Sequence, residues 1–352
     1  MQKSIKTNVE DRNDIMSERK RTYLVFLCGL CISGFCGCGV GIGSHEETVS
    51  KKEVITEDVT TESLKSEEGP GSSTTSEMTE PNEESTDTGT KQAESQNADE
   101  PDLLHFIDAW GEWHDAVINP NVKKHDYDWN CLKNDGQNIS YEGDDRYTIR
   151  KGVDVSYHQG KIDWQKVKAD GYDFAIIRAA YRGYGTTGSL NIDSEFYTYV
   201  EQAHEAELDV GVYLFSQAVN VEEALEEADL MIQALSDITI ELPVVYDPEL
   251  IRDSTARTDH VTGQQFTENT LAFCRKIQEA GYQPMIYSNM IWESEFFDLE
   301  QLAEYPVWYA DYELIPQTHY DFCFWQYSES GQVDGITGIV DLNIQFQKSG
   351  KK

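Results

Sequence analysis

Between Lys151 and Ser288, short apolar runs rich in β-branched residues alternate with amphipathic helical stretches, and this alternation restricts the fold more than any other feature of the chain. The strand-like runs are Val153 to Ser156, Phe174 to Ala180, Val210 to Phe215, Leu242 to Glu249 and Pro284 to Ser288. Helices are expected near Asp163 to Val167, Ser194 to Glu207, Val221 to Leu235 and Thr267 to Ala280, with Gly281 as a helix-ending glycine. Strands joined through helices run parallel with right-handed crossovers. After a shorter helical stretch near Asp298 to Ala303 the pattern changes. Three runs follow closely, Val307 to Ala310, Phe322 to Tyr327 and Gly338 to Asn343, and the connections Glu313 to Asp321 and Ser328 to Thr337 are too short to hold a packed helix. The expectation is an α/β fold, an eight-stranded barrel with about five helices in which at least one late strand is antiparallel.

Closing such a barrel sets the first and last strands side by side, about 4.8 Å apart. Asp154 and Asp341 then become neighbours. Asp247 and Glu249 end the fourth strand two residues apart, so they share a face with about 7 Å between Cα atoms. Four carboxylates at one mouth of a barrel cannot all ionise freely, because repulsion and desolvation raise at least one pKa. An acid that keeps its proton beside others that stay anionic is the equipment for splitting a glycosidic bond. Tyr213, Tyr287, Trp308, Tyr309, Tyr312 and Trp325 lie on or just after the strands, where aromatic rings can stack on sugar faces. Singly, an Asp-x-Glu pair is an ordinary strand end and each aromatic an ordinary core residue; their coincidence on one barrel carries the reading. The run Glu222, Glu223, Glu226 and Glu227 reads as the wet face of its helix.

Other chemistries find little support. There is no Asp-x-Asp-x-Asp-Gly loop, and His105, His114, His125, His158, His204, His260 and His319 show no paired i, i+4 spacing, so no metal site and no cofactor are expected. A Gly-x-Ser-x-Gly elbow is absent too. With 28 Lys+Arg against 64 Asp+Glu, a net charge of −36 excludes nucleic acid as a partner and disfavours docking on anionic lipid through surface charge.

The chain ahead of the barrel divides by composition. Residues 1-21 end in the basic cluster Arg19-Lys20-Arg21, and an uncharged run from Tyr23 to Ile42 follows, long enough as a helix to cross a bilayer. The basic flank sets that end in the cytoplasm and everything after it outside. Segment 22-43 thus reads as a transmembrane signal anchor, with a cleaved signal peptide or a lipoprotein signal as alternatives. Residues 44-100 are Ser, Thr, Glu and Asn with almost no aromatics, an acidic linker expected to be disordered. Residues 101-150 carry a helical spacing of Leu103, Leu104, Phe106, Ile107, Trp110 and Trp113, read as a short amphipathic helix in an extension that packs on the barrel. Cys28, Cys31, Cys36 and Cys38 fall in the apolar run; Cys131, Cys274 and Cys323 read as core thiols, or as one pair plus a spare.

Four motifs occur in order: Gly152-Val153-Asp154-Val155-Ser156-Tyr157-His158-Gln159-Gly160 with Ile162-Asp163-Trp164; Pro243 to Glu249; Trp325-Gln326-Tyr327-Ser328; and Gly335 to Asn343. Together they resemble glycoside hydrolase family 25, the lysozymes or N-acetylmuramidases, over roughly Lys151 to Phe346. The resemblance implies an irregular TIM-like barrel of five β/α units followed by three strands, (β/α)5(β)3, over residues 151-348. It implies Glu249 as the general acid, with Asp247, Asp154 and Asp341 as the other active-site acids. Pro248 departs from the family pattern, in which an aliphatic residue is more usual. On this reading Tyr213, Tyr287, Trp308, Tyr312, Trp325 and Gln326 bind substrate, and the partner is the glycan strand of peptidoglycan. The protein would be a monomeric head, extracytoplasmic and membrane-anchored at a bacterial surface, or else a lipoprotein or secreted. Two alternatives differ in class or substrate: a non-catalytic wall-glycan-binding module, and a chitinase-like hydrolase.

Overall fold

The computed structural model describes residues 102–253 and 255–350. The expected basic segment, apolar anchor and acidic linker lie outside the described residues. Among the described residues no helix is long and apolar enough to cross a membrane.

Two small hairpins come first, β1 (Leu103–Ile107) with β2 (Trp113–Val117), and β3 (Leu132–Asn134) with β4 (Ile139–Tyr141). The barrel follows as β5 (Tyr147–Val155), β6 (Phe174–Arg182) with its antiparallel flap β7 (Leu190–Ile192), β8 (Asp209–Ser216), β9 (Val244–Pro248), β10 (Pro284–Ser288), β11 (Val307–Ala310), β12 (Phe324–Gly331) and β13 (Val340–Lys348). Adjacent strands are parallel from β5 round to β12. β13 is antiparallel to both β12 and β5 and closes the ring. Eight strands in a closed α/β barrel with an antiparallel late strand agree with the sequence reading, and the strand that reverses is the last. β5 begins at Tyr147 rather than at the expected Val153, because it pairs with β13 from Tyr147 opposite Lys348 to Asp154 opposite Asp341.

The helices α1 (Trp164–Ala169), α2 (Phe196–Glu205), α3 (Val221–Ala234), α4 (Gly263–Glu279) and α5 (Leu299–Leu302) wrap the barrel, with a π turn at Trp292–Phe296 before α5. Helix α4 shows why such segments fold as they do: Phe266, Thr270, Phe273, Cys274 and Ile277 recur at helical spacing and are buried, and Thr262 caps the amino end by accepting from the Gln265 amide. It starts earlier than the expected Thr267. The Thr262 cap fixes that start, and Gly263 lets the chain at Phe296 pack closely there, since a Cβ would lie 2.6 Å from the Phe296 carbonyl oxygen.

Three expectations are corrected. The stretch from Leu103 to Trp113 is a hairpin instead of a helix. Asp108 Oδ1 accepts from the Trp110 and Glu112 amides at 2.9 Å, and Gly111 takes φ 83°, so turn chemistry at the centre breaks the apparent helical period. The acidic run on α3 is not all wet. Glu227 is fully buried and pairs with Arg182 at 2.7 Å, and Glu223 forks onto Arg257 at 2.7 and 2.6 Å. Finally, Cys131, Cys274 and Cys323 are all free thiols, so the alternative of one disulfide is not realised.

Two apolar layers set the height of the site. Outside the barrel, residues such as Val153, Val155, Ile177, Val212 and Tyr246 join the main core, and Trp325 meets Trp129 of the segment ahead of the barrel. Inside, Phe174, Ile176, Val245, Met285, Tyr287, Trp308, Ala310 and Phe324 fill the floor. The strand period of two assigns neighbouring residues to opposite layers. Gly152 belongs to the inner set, where a Cβ would lie 2.1 Å from the Phe174 ring. These rings separate the polar residues of the mouth from Arg150 and Gln345, which pair with each other below the Phe174 ring at the other end of the barrel.

Candidate active site

Antiparallel closure puts Asp341 directly opposite Asp154, one step above Asn343 opposite Gly152. Asp247 stands on β9 level with Phe215 of β8, and Glu249 follows just past the end of that strand. Pro248 pairs with Ser216 at the last position of β9, a strand end where its missing N–H does little harm.

Asp154 is buried and held from two sides. Its Oδ2 accepts from Gln326 Nε2 at 2.9 Å and from Asn343 Nδ2 at 2.7 Å. Each amide is oriented in turn: Trp308 Nε1 donates to Asn343 Oδ1 at 2.8 Å, while the Tyr287 and Tyr312 hydroxyls donate to Gln326 Oε1 at 2.8 and 2.9 Å. Two amides with their oxygens already engaged can offer Asp154 only N–H groups, which favours its anion. Burial pushes the Asp154 pKa up, and the Gln326 and Asn343 bonds pull it back. Burial and the Asp154 charge raise Asp341 well above the carboxylate range. We therefore assign the proton to Asp341, which donates it to Asp154.

The fourth-strand acids sit in the same field. Burial first, then Glu249 and Asp154, raise Asp247 well above the usual range, and Arg178 opposes them. Glu249 is half-buried, and its pKa is raised to about 7 by burial and by Asp154, again opposed by Arg178. The arrangement thus holds a proton on Glu249 near neutrality without fixing it there. Asp247 Oδ1 is buried and has no hydrogen-bond partner among the described residues, an expensive state unless a ligand supplies a donor.

Of the groups around these acids, sequence reasoning named Gln326, Tyr287, Tyr312 and Trp308 but did not single out Gln217, Arg178 or Asn343. Gln217 is buried and donates from Nε2 to the Glu249 carbonyl at 2.6 Å, while Thr258 Oγ1 donates to Gln217 Oε1 at 3.1 Å; one amide thereby ties both ends of the loop after the acid. Arg178 Nε donates to Asp193 Oδ2 at 2.8 Å, and its guanidinium lies 5.1 Å from the Tyr157 and Tyr181 ring centres. Asn343 and Arg178 carry a usable signal, each two residues along a strand from an inner-facing position. Gln217 carries none, because its role depends on a loop that returns from far along the chain.

The aromatic candidates separate by layer. Tyr213 and Tyr287 meet the Trp308 ring edge-to-face, with centroids 6.0 and 4.9 Å away, and form the floor beneath the carboxyls. Tyr312 and Gln326 join the hydrogen-bond network above that floor. Trp325 lies elsewhere. It is fully buried on the outer face of β12, with its indole N–H on the Asp311 carbonyl at 2.8 Å, because its neighbour Gln326 takes the inner position. Tyr309 likewise faces outward, its hydroxyl on Asp311.

An α/β barrel with acids clustered at one mouth, on the carboxyl ends of β5 and β9 and the amino end of the reversed β13, over an aromatic floor defines a site of the glycoside hydrolase kind. The model of glycosyl hydrolases family 25 matches residues 153–336, and the chain belongs to that family. By family it is a glycoside hydrolase. It is 31% identical over 211 residues to the uncharacterized protein YegX of Escherichia coli K12, covering 56% of this chain and 70% of that one. Lysozyme M1 of Streptomyces globisporus is 28% identical over 202 residues, 55% of this chain and 66% of the lysozyme. Among solved structures, the modular autolysin LytC of Streptococcus pneumoniae, in complex with a synthetic peptidoglycan ligand, matches with a TM-score of 0.51 at 21% identity. That likeness covers 70% of this chain and 56% of the autolysin, and it speaks for the fold alone.

Proposed function

We propose that the protein is a peptidoglycan hydrolase of the lysozyme type, an N-acetylmuramidase that cuts the β-1,4 bond between N-acetylmuramic acid and N-acetylglucosamine. The observation that carries the reading is Glu249, whose pKa is raised to about 7 beside other acids on the same barrel mouth. Glu249 protonates the glycosidic oxygen as the bond to the muramic acid anomeric carbon lengthens, and takes a proton from water in the second half of the reaction. The unsatisfied Asp247 Oδ1 accepts the N–H of the 2-acetamido group, steering that group's carbonyl oxygen onto the anomeric carbon. The Asp154 anion, sharing the Asp341 proton, offsets positive charge on the sugar ring. Tyr213, Tyr287 and Trp308 lie beneath the ring, and Tyr312 and Gln326 keep Asp154 in place.

Family membership and the similarity to Lysozyme M1 support peptidoglycan as the substrate. The apolar run from Tyr23 to Ile42 supports an extracytoplasmic head tethered at the cell surface. The test is release of new reducing ends from purified peptidoglycan by the full-length chain, with Glu249→Gln alongside. Reducing ends that appear with the wild type and fall by about 100-fold or more in the variant support the assignment; equal release by both refutes it.

A further inference from the structure

Hairpin β1–β2 lies outside residues 153–336 that match the family, yet it touches the rim of the site at three successive loops. At its tip the Trp110 ring centre lies 4.0 Å from the guanidinium carbon of Arg252, in the loop that leaves Glu249. His114 Nδ1 is 3.8 Å from Glu295 Oε1, in the segment after β10. The backbone N–H and carbonyl of Ile107 pair with the Gln317 side-chain amide, both at 2.9 Å, in the β11–β12 connection that carries Tyr312. β9, β10 and β11 are parallel, so all three loops emerge at the end of the barrel that bears Asp247 and Glu249. The hairpin therefore stands along that side of the mouth.

Its two faces differ. Phe106 is buried, and Leu104 and Ala116 are half-buried against the core outside the barrel. The opposite face leaves Leu103, Trp113 and Val117 about 60% exposed, 59%, 59% and 61%. On that face the Trp113 indole lies flat on the His105 ring, centroids 4.6 Å apart and planes within 6°. A supported, outward-facing indole suits the apolar face of a pyranose, and a chain of net charge −36 repels acidic partners but not an acetylated glycan.

We infer that hairpin β1–β2 is a wall of the cleft that holds further hexosamine units of the glycan strand, through Trp110 with Arg252 at its tip and Trp113 with His105 on its open face. The inference rests on the muramidase reading above. The test compares the full-length wild type with Trp113→Ala, Trp110→Ala and Arg252→Ala on long solubilised glycan strands and on a tetrasaccharide of the same repeat. For each ring removed, KM for long strands rises by about 2- to 10-fold relative to the same variant's KM for the tetrasaccharide. Equal changes on both substrates overturn the wall, as does a Trp113→Ala effect that only dissolves a dimer seen by sedimentation. Trp113 is exposed, so its truncation leaves the fold intact, and thermal melting checks each variant. Retention of Glu249→Gln, with and without Trp113→Ala, on sedimented peptidoglycan separates the two readings. If the wild type cuts nothing but Trp113→Ala still weakens retention, the muramidase reading fails and the wall stands.

Discussion

Replacing Glu249 by Gln is expected to abolish activity and, at alkaline pH, to stabilise the fold. Burial and the Asp154 charge raise this carboxyl from 4.5 to about 7. An acid whose folded pKa is raised holds its proton more tightly in the native state. Its contribution is intact below pH 4.5 and is lost as pH rises through about 7. At about 1.4 kcal/mol per pKa unit, the wild type carries a penalty of about 3.5 kcal/mol above neutrality that the amide does not. For a domain of this size that is roughly 7–14 °C in Tm. Calorimetry of both proteins from about pH 4 to pH 9 reads the difference, which is near zero at the acid end and grows through pH 7. With Glu249 in the proposed role of general acid, the same titration is expected to make wild-type activity fall as pH rises through about 7. A Tm difference independent of pH, or a wild type that is the more stable at pH 9, refutes the electrostatic argument.

Three further outcomes follow from other contacts. Asn343→Ala removes the 2.7 Å donor to Asp154 and strands the Trp308 N–H; kcat is expected to fall about 10- to 100-fold with little change in KM, read by steady-state kinetics. Arg182→Met leaves Glu227 buried without its partner, and a loss of about 3–5 kcal/mol in chemical denaturation is expected, much of it recovered in Arg182→Met/Glu227→Gln. Attack by the acetamido group predicts retention at the anomeric carbon, so proton NMR of freshly cut oligosaccharide shows the β-anomer first; the α-anomer first means direct attack by water.

The sequence makes the barrel legible because its strands and helices have separate periods, and barrel closure alone predicts that Asp154 meets Asp341. The hairpin escapes because residues 103, 104, 106, 107, 110 and 113 satisfy helical spacing, while the deciding evidence is a local Asp108 and Gly111 turn. Glu227 escapes for a tertiary reason: its position on α3 reads as solvent-facing until Arg182 and Ser216 arrive from β6 and β8. Trp325 shows the limit of listing aromatics by strand, since a one-residue difference in parity decides whether a ring faces the cleft or the outside of the barrel. Gln217 is invisible for the same reason as any loop staple, as the Glu249 carbonyl and Thr258 hydroxyl that define it meet only in the folded chain.

The proposed function requires cleavage on the muramic acid side of the strand. Peptidoglycan digested by the full-length protein, reduced with borohydride and hydrolysed, identifies the sugar at each new end. Muramitol that accumulates with the wild type and is absent with Glu249→Gln is the predicted result. Glucosaminitol at the new ends contradicts cleavage on that side.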